Sequence, residues 1–305
     1  MKLRLGTRGS RLALIQTQSV ADALIALGVD VDVTIIRTSG DHLAQVALAD
    51  FGGKALFVKE IEEALLEGRA DVGVHSLKDV PGVLPAGLCL AAFPRRADPR
   101  DCLVTRQAGG LGALPPGAVV GSSSPRRRVL LLSERPDLRV EPIRGNVETR
   151  LAKLASGAYD ALVLAKAGLD RLGLVPAHAS TLPVAQFVPA VGQGILGVEV
   201  RQDDREAQRL VAQLDDRATR IEAQAERAFL LRLGAGCHTA VAGHARLAGD
   251  EMTLTGVVAS PDGATVLRSS VGGLAASSEA LGQKLADELL ERGARRLLES
   301  AETPP

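Results

Sequence analysis

The chain has 305 residues, enough for two or three domains, and its 46% hydrophobic and 24% charged residues are ordinary for a globular protein. Basic and acidic residues both number 36 and only 2% of residues are aromatic, which argues against nucleic acid as the main partner. Three scattered cysteines exclude a disulfide framework, residues 1–16 do not resemble a signal peptide, and no apolar run approaches the ~20 residues of a membrane span. We therefore expect a soluble, cytoplasmic protein.

Arginine outnumbers lysine 29 to 7 among the basic residues. The planar guanidinium forms two-point contacts with carboxylates and phosphates that an ammonium group does not form. A general compositional bias would produce the same ratio, so the placement of the arginines has to decide between the two interpretations.

The first part of the chain alternates strand-like and helix-like segments, which is typical of a βα domain. We predict strands at residues 3–7, 31–37, 71–76 and 88–93, and helices at residues 11–27 and 57–67. Arg8 falls in the first strand-to-helix turn and Ser10 is the predicted N-cap, in a position where a helix N-terminus favours anions. Lys54 ends the long connection 39–54, whose Gly52-Gly53-Lys54 lacks the spacing of a phosphate-binding P-loop.

The third strand of this domain ends in a Lys78-Asp79 pair followed by Pro81. In open α/β sheets the carboxyl ends of the strands border the ligand crevice. Asp79 is therefore predicted to project into a cleft with Lys78 beside it. A solvated loop carboxylate paired with Lys78 is the alternative.

A polar, proline-bearing stretch at 94–101 predicts a crossover into a second domain, where the pattern repeats. We predict strands at 118–121, 139–143 and 161–165, with Ser124-Pro125 beginning a helix that ends near residue 134. Arginines stand at or near these strand-to-helix junctions: Arg126, Arg127, Arg144, Arg150 and Arg171. Because cations in a first helical turn oppose the helix dipole, we interpret the set as an anion site, with solvated surface as the alternative.

The glycine-rich segment 191–197 precedes another strand and is not a dinucleotide fingerprint, since no helix follows it. A strand this late would rejoin the first sheet. We therefore expect a discontinuous first domain of residues 1–94 and 195–216, a second of 95–194 and a third of 217–305. The third is predicted as a small α+β domain with a helix at 219–233, strands at 240–247, 252–259 and 265–271, and a last helix at 278–299.

Cys237 lies in a Gly-Ala-Gly-Cys turn after the helix at 219–233. Zinc would need a fourth ligand and a paired spacing that Cys237, His238 and His244 do not provide, so no metal is predicted. A nucleophilic or covalently modified thiol is the better interpretation.

Five motifs in the same order resemble the hydroxymethylbilane synthase (porphobilinogen deaminase) family, and the resemblance covers nearly the whole chain. They are GKALFVKE at 53–60, HSLKDVP at 75–81, GSSSPRR at 121–127, RGNVETR at 144–150 and GC at 236–237. The resemblance implies an α/β fold with two βα domains like those of type II periplasmic binding proteins. It also implies a C-terminal α+β domain with a three-stranded sheet.

The resemblance further implies a dipyrromethane cofactor, one per chain, in thioether linkage to Cys237. Asp79 would be the catalytic carboxylate. The cofactor would be held by Lys78, Asp79, Ser124, Arg126 and Arg127. The substrate would be bound by Arg8, Ser10, Lys54, Ser76, Arg144, Arg150 and Arg171.

The implied activity is the stepwise deamination and head-to-tail condensation of four porphobilinogen molecules, followed by hydrolytic release of a linear tetrapyrrole. Each ring adds two carboxylates, which would explain many arginines, and loss of ammonia builds positive charge that a carboxylate such as Asp79 would stabilise. The implied protein is a monomer whose partner is porphobilinogen, with no nucleic acid or membrane. The alternative is a two-lobed anion-binding receptor or effector-binding module.

Overall fold

The computed structural model describes residues 2–36, 58–235 and 239–302. Lys54 and Cys237 lie outside the described residues. The chain forms two compact units, one of Met1–Ala97 with Gly194–Ala223 and one of Asp98–Gln193 with Gln224–Pro305. The finer division into three domains stays a prediction.

Strands alternate with helices along most of the chain. In chain order, the strands are β1 (Lys2–Thr7), β2 (Asp30–Ile35), β3 (Val72–Ser76), β4 (Leu88–Ala92), β5 (Asp101–Thr105), β6 (Val119–Gly121), β7 (Arg139–Glu141), β8 (Ala161–Ala165), β9 (Ala179–Thr181), β10 (Leu196–Arg201), β11 (Ala240–Ala248), β12 (Glu251–Ala259) and β13 (Val266–Leu274).

The helices of the described residues are mostly short. They are α1 (Arg11–Ala26), α2 (Lys59–Leu66), α3 (Pro125–Glu134), α4 (Val147–Ala155), α5 (Lys166–Arg171), α6 (Arg205–Val211), α7 (Arg217–Leu233), α8 (Ser278–Glu291) and α9 (Ala294–Glu302). None of them is both long and apolar enough to cross a membrane.

The first unit contains a five-stranded sheet in the order β2-β1-β3-β10-β4. Strands β1, β2 and β3 run parallel, and β10 lies antiparallel between β3 and β4. The strands β3 and β10 are almost entirely buried, which matches their continuous apolar sequences. The late strand therefore completes the first sheet, as its position after the glycine-rich segment predicted.

The second unit contains a five-stranded sheet in the order β7-β6-β8-β5-β9. Its strand directions repeat those of the first sheet, with three parallel strands and β5 antiparallel between β8 and β9. Two such sheets interleaved with helices confirm the predicted α/β class.

The same unit contains the predicted three-stranded antiparallel sheet, in the order β11-β12-β13. Two glycines in its strands are explained by the fully buried Phe229 of α7. A Cβ atom on Gly243 would lie 3.1 Å from the Phe229 ring, and one on Gly256 would lie 2.7 Å from it. Only glycine leaves room for the aromatic ring on this face of the sheet.

The prediction of one terminal helix over 278–299 is wrong. The segment forms two helices, α8 and α9, which are separated at Gly293 with φ +98°. Glycine adopts this left-handed conformation without a Cβ clash, so it ends the first helix and redirects the chain. The short elements β9 and α6 were not predicted, because three and seven residues carry little periodicity.

Two buried carboxylates, Glu62 of α2 and Glu199 of β10, lie near the buried His75 of β3. Nε2 of His75 is 3.1 Å from Oε2 of Glu199, and neither side chain is more than 3% exposed. The imidazole reaches this carboxylate by lying over Gly73, where a Cβ atom would approach Nε2 to 2.8 Å. Burial, and after it the charge of Glu199, raises the pKa of the neighbouring Glu62 to about 7, although His75 acts in the opposite direction.

This raised pKa predicts a pH-dependent stability. Between pH 4.5, the ordinary pKa, and pH 7, the folded chain binds more protons than the unfolded chain, so the free energy of unfolding falls as pH rises. In Glu62→Gln this contribution is absent, and we expect the loss of stability between about pH 5 and pH 8 to shrink by about 1–3 kcal/mol. Urea unfolding at pH 5 and at pH 8 measures the free energy of unfolding of each protein. Exposed Glu279, changed to glutamine, is the control, and equal slopes in all three proteins would contradict the prediction.

Candidate functional site

Five predicted site residues lie at one edge of the first sheet. Arg8 and Ser10 follow β1, Ser76 ends β3, and Lys78 and Asp79 belong to the short 3₁₀ helix Leu77–Asp79. Because β1 and β3 pair in parallel, their carboxyl ends meet at the same edge. The structure therefore brings these five residues to the edge where open α/β sheets bind ligands.

The turn that carries Asp79 is held at several points. The Leu77 amide donates to the Ile195 carbonyl at 3.0 Å, and the Val80 amide donates to the Leu77 carbonyl at 3.1 Å. The side chains of Leu77 and Val80 are buried. Asp79 itself is partly exposed. The backbone that carries this carboxylate is therefore held in one place.

Ser10 and Ser76 are oriented by contacts with α1. The Ser10 hydroxyl accepts a hydrogen bond from the Ala13 amide at 3.3 Å and so caps the helix as predicted. Ser76 Oγ lies 2.9 Å from Nε2 of Gln16, a buried residue that the sequence had not indicated. Gln16 thus fixes the hydroxyl at the end of β3.

The second sheet shows the same arrangement, with arginines in place of the carboxylate. Strands β6, β7 and β8 are parallel, so Ser124 and Arg144, which follow β6 and β7, share one edge, and Arg171 ends the short helix α5 that follows β8. Ser124 caps α3 by accepting a hydrogen bond from the Arg127 amide at 3.4 Å. Arg150, in α4, donates from Nε to the Gly145 carbonyl at 2.8 Å.

Arg126 and Arg127, the cations in the first turn of α3, share one carboxylate. Arg127 donates to Oδ1 of Asp101 from Nη2 at 2.8 Å and from Nε at 3.1 Å, and Nη1 of Arg126 lies 2.8 Å from Oδ2. Asp101 is fully buried, and the two arginines are less than 9% exposed. The anion that this unusual first turn requires is therefore in the first place the chain's own Asp101, a residue that the sequence had not indicated.

The charges of this cluster do not cancel. Burial opposes ionisation of Asp101, but the charges and hydrogen bonds of Arg126 and Arg127 outweigh it and hold the pKa of the carboxyl well below its usual value. One carboxylate against two guanidiniums leaves a net charge of +1. Burial lowers the pKa of Arg126, although Asp101 opposes this effect. A further anion in contact with Arg126 would be favourable.

A buried nitrogen indicates where such an anion fits. Nη1 of Arg126 donates to the Val188 carbonyl at 2.8 Å, whereas its Nε atom is buried and has no hydrogen-bond acceptor within the described parts of the chain. An orphaned donor of this kind is costly unless a ligand supplies the acceptor. Together with the net positive charge, it fits a carboxylate-bearing group.

Two further arginines, in the helices α4 and α5 that follow β7 and β8, are partly buried. Burial, followed by the charge of Arg127, lowers the pKa of Arg150, and burial lowers the pKa of Arg171 to about 10 despite Asp170. With a pKa of about 10, Arg171 remains cationic near neutral pH. Several desolvated cations within one unit favour carboxylate or phosphate ligands.

The described cysteines are poor nucleophiles. Burial raises the pKa of the Cys89 thiol in β4 and of the Cys102 thiol in β5. Cys237 and its neighbour His238 lie outside the described residues. Within the described ranges, no three histidine, cysteine, aspartate or glutamate side chains gather in a way that would hold a metal ion.

Known proteins resemble the chain over almost its full length. A porphobilinogen deaminase from a Roseiflexus species is 52% identical over 298 residues, which is 97% of this chain and 98% of its own length. A porphobilinogen deaminase from Syntrophobacter fumaroxidans is 48% identical over 299 residues, 97% of each chain. Among solved structures, a methionine-binding protein matches with a TM-score of 0.45 and 14% identity, over 70% of this chain and 89% of its own.

Two family models match consecutive parts of the sequence. "Porphobilinogen deaminase, dipyromethane cofactor binding domain" matches residues 3–209, and "Porphobilinogen deaminase, C-terminal domain" matches residues 220–291. These matches confirm the family indicated by the five sequence motifs. The chain belongs to the porphobilinogen deaminase family.

Proposed function

We propose that this chain is a hydroxymethylbilane synthase, a transferase that joins four porphobilinogen molecules head to tail and releases the linear tetrapyrrole. The observation that carries this proposal is the match of residues 3–209 to the family's dipyrromethane-binding domain. The carboxylate edge of the first sheet and the arginine edge of the second support it, because the reaction needs a proton donor and several carboxylate-binding groups.

Asp79 acts on the substrate amine. Its acid form donates a proton to the departing ammonia, and its carboxylate form stabilises the positive charge that spreads to the pyrrole nitrogen. The anchored turn Leu77–Asp79 supports this role, because electrostatic stabilisation depends on a preorganised group.

The cofactor is held through its carboxylates and through a thioether to Cys237. Arg126, with its orphaned Nε atom, binds a carboxylate together with Arg127 and Ser124. Lys78 and Asp79 are the other residues that we assign to the cofactor. When bound, the dipyrromethane supplies the free pyrrole carbon to which the first substrate is joined.

The substrate's acetate and propionate groups are bound by the remaining predicted residues: Arg8, Ser10, Lys54, Ser76, Arg144, Arg150 and Arg171. Each charge-assisted contact contributes about 1.5–3 kcal/mol, so several together retain a growing polyanionic chain through repeated condensations. We further propose that the enzyme works as a cytoplasmic monomer.

Incubation of the purified chain with porphobilinogen tests the proposal. We expect one ammonia released for each porphobilinogen consumed, and a linear tetrapyrrole as product. The protein before substrate addition should give a colour with Ehrlich's aldehyde reagent, because a bound dipyrromethane reacts. Binding of anions without ammonia release or colour would overturn the proposal in favour of a two-lobed binding module.

Arg144 allows a test of the arginine edge. Arg144→Leu is expected to lower kcat/KM for porphobilinogen at least ~10-fold, which corresponds to the loss of one charge-assisted contact. Arg144→Lys should also lower kcat/KM, because lysine does not form the two-point contact. Exposed Arg292, whose Nη1 donates to the Arg268 carbonyl at 2.8 Å, provides the matched control Arg292→Leu. Steady-state kinetics measures all three, and equal losses in Arg144→Leu and Arg292→Leu would count against a binding role.

A further inference from the structure

The glycine-rich segment, which the proposed reaction leaves without a role, directs one glutamine into the interior. Gln193 is 1% exposed and stands between Gly192 with φ +72° and Gly194 with φ +88°. The backbone turns at both glycines because each adopts a left-handed conformation. A residue with a side chain would adopt that conformation only with strain. The two glycines thus allow the backbone to direct a long polar side chain into the core.

The segment is held from the opposite side by a buried carboxylate. Glu226 of α7 is fully buried; its Oε2 accepts a hydrogen bond from the Gly192 amide at 2.6 Å, and its Oε1 accepts one from the Ala245 amide of β11 at 2.8 Å. The backbone beside Gln193 is therefore fixed to two other elements. This anchoring gives the glutamine side chain a defined starting point.

The amide of Gln193 ends at the carboxylate that the two arginines share. Its Nε2 atom donates to the Pro99 carbonyl at 2.6 Å and to Oδ1 of Asp101 at 3.0 Å. The same Oδ1 atom accepts both hydrogen bonds of Arg127, so three donors converge on one oxygen. Gln193 thus restricts rotation of the carboxylate that orients both guanidiniums.

We propose that Gln193 is a positioning residue of the cofactor site. Acting through Asp101, it fixes the direction in which Arg126 and Arg127 present their remaining N–H groups to a carboxylate of the dipyrromethane. This inference rests on the proposed function, and it assigns to the Gly-Gln-Gly segment a role in holding the cofactor. Preorganised donors bind an anion more tightly because no ordering is needed on binding.

The chemistry of the side chain is specific. A methionine of similar length would fill the space but donate to neither Asp101 nor Pro99, so the carboxylate would lose one of its restraints. Asparagine keeps the amide but is one methylene shorter and falls short of Asp101. Both changes loosen the arginine pair without altering the arginines themselves.

The test compares melting temperatures with and without cofactor. Gln193→Met, Gln193→Asn and the parent are each prepared as holoprotein and, from a host that makes no porphobilinogen, as cofactor-free protein. Intact mass reports loading. A bound ligand stabilises the folded state. The cofactor's contribution is therefore the melting temperature of the holoprotein minus that of the cofactor-free protein. Exposed Gln186, changed to methionine, is the control in the same unit.

We expect the Gln193 variants to lose about half or more of the melting-temperature gain that the cofactor gives the parent, while Gln186→Met keeps it. A purely structural role would lower both melting temperatures equally and leave the difference unchanged, which would overturn the inference. Failure of both Gln193 variants to fold without cofactor, while Gln186→Met folds, would overturn it too. A parent that carries no adduct would instead overturn the proposed function.

Discussion

Asp79→Asn is expected to lower kcat by at least ~100-fold while leaving the fold and the bound cofactor in place. The amide has nearly the shape of the carboxylate but supplies neither its negative charge nor an acidic proton. Positive charge that develops on the pyrrole would then have no fixed counter-charge, and the departing amine would have no proton donor. Release of ammonia in single-turnover and steady-state experiments measures the loss.

The position of Asp79 makes this loss interpretable. The turn is held by Leu77 and Val80 through backbone hydrogen bonds and burial, so the substitution is not expected to disturb its surroundings. Asp22→Asn, at an exposed carboxylate of α1, is the matched control and should retain the parent's kcat. Near-normal turnover in Asp79→Asn would remove this residue from the proposed role.

The second large effect is expected at Cys237. If this thiol anchors the dipyrromethane, the parent should exceed its sequence mass by two pyrrole units, and Cys237→Ser should show no excess and no turnover. A serine hydroxyl is far less nucleophilic than a thiolate, so it does not form the corresponding bond. Intact-mass measurement and the rate of porphobilinogen consumption give the two readouts.

The other thiols provide the control. Burial raises the pKa of both Cys89 and Cys102, so few thiolates form there at neutral pH, and Cys89→Ser should keep the added mass. Cys237→Ser should also melt at a lower temperature than the parent, because Arg126 and Arg127 then keep Asp101 but lose the cofactor's carboxylate. An active protein without added mass, or an adduct on Cys89, would contradict the assignment.

Much of the fold was predictable because its signals are local. Ser10 and Ser124 cap their helices as expected, since a cap depends only on residues three positions apart. Parallel strands read as buried apolar runs, and the turn with Asp79 follows one of them directly. The division of the last helix was not predicted, because glycine near a helix end is compatible with continuation as well as with a left-handed stop at Gly293.

The sequence by itself determined the alternation of strands and helices, the edge of each sheet where polar residues collect, and through its motifs the family. Only the tertiary structure decided which charges meet. Asp101 pairs with Arg127 across 26 positions and with Gln193 across 92, and His75 reaches Glu199 across 124. Periodicity and capping act within a few residues, whereas these contacts depend on packing that excludes water and obliges each buried charge to find a distant partner.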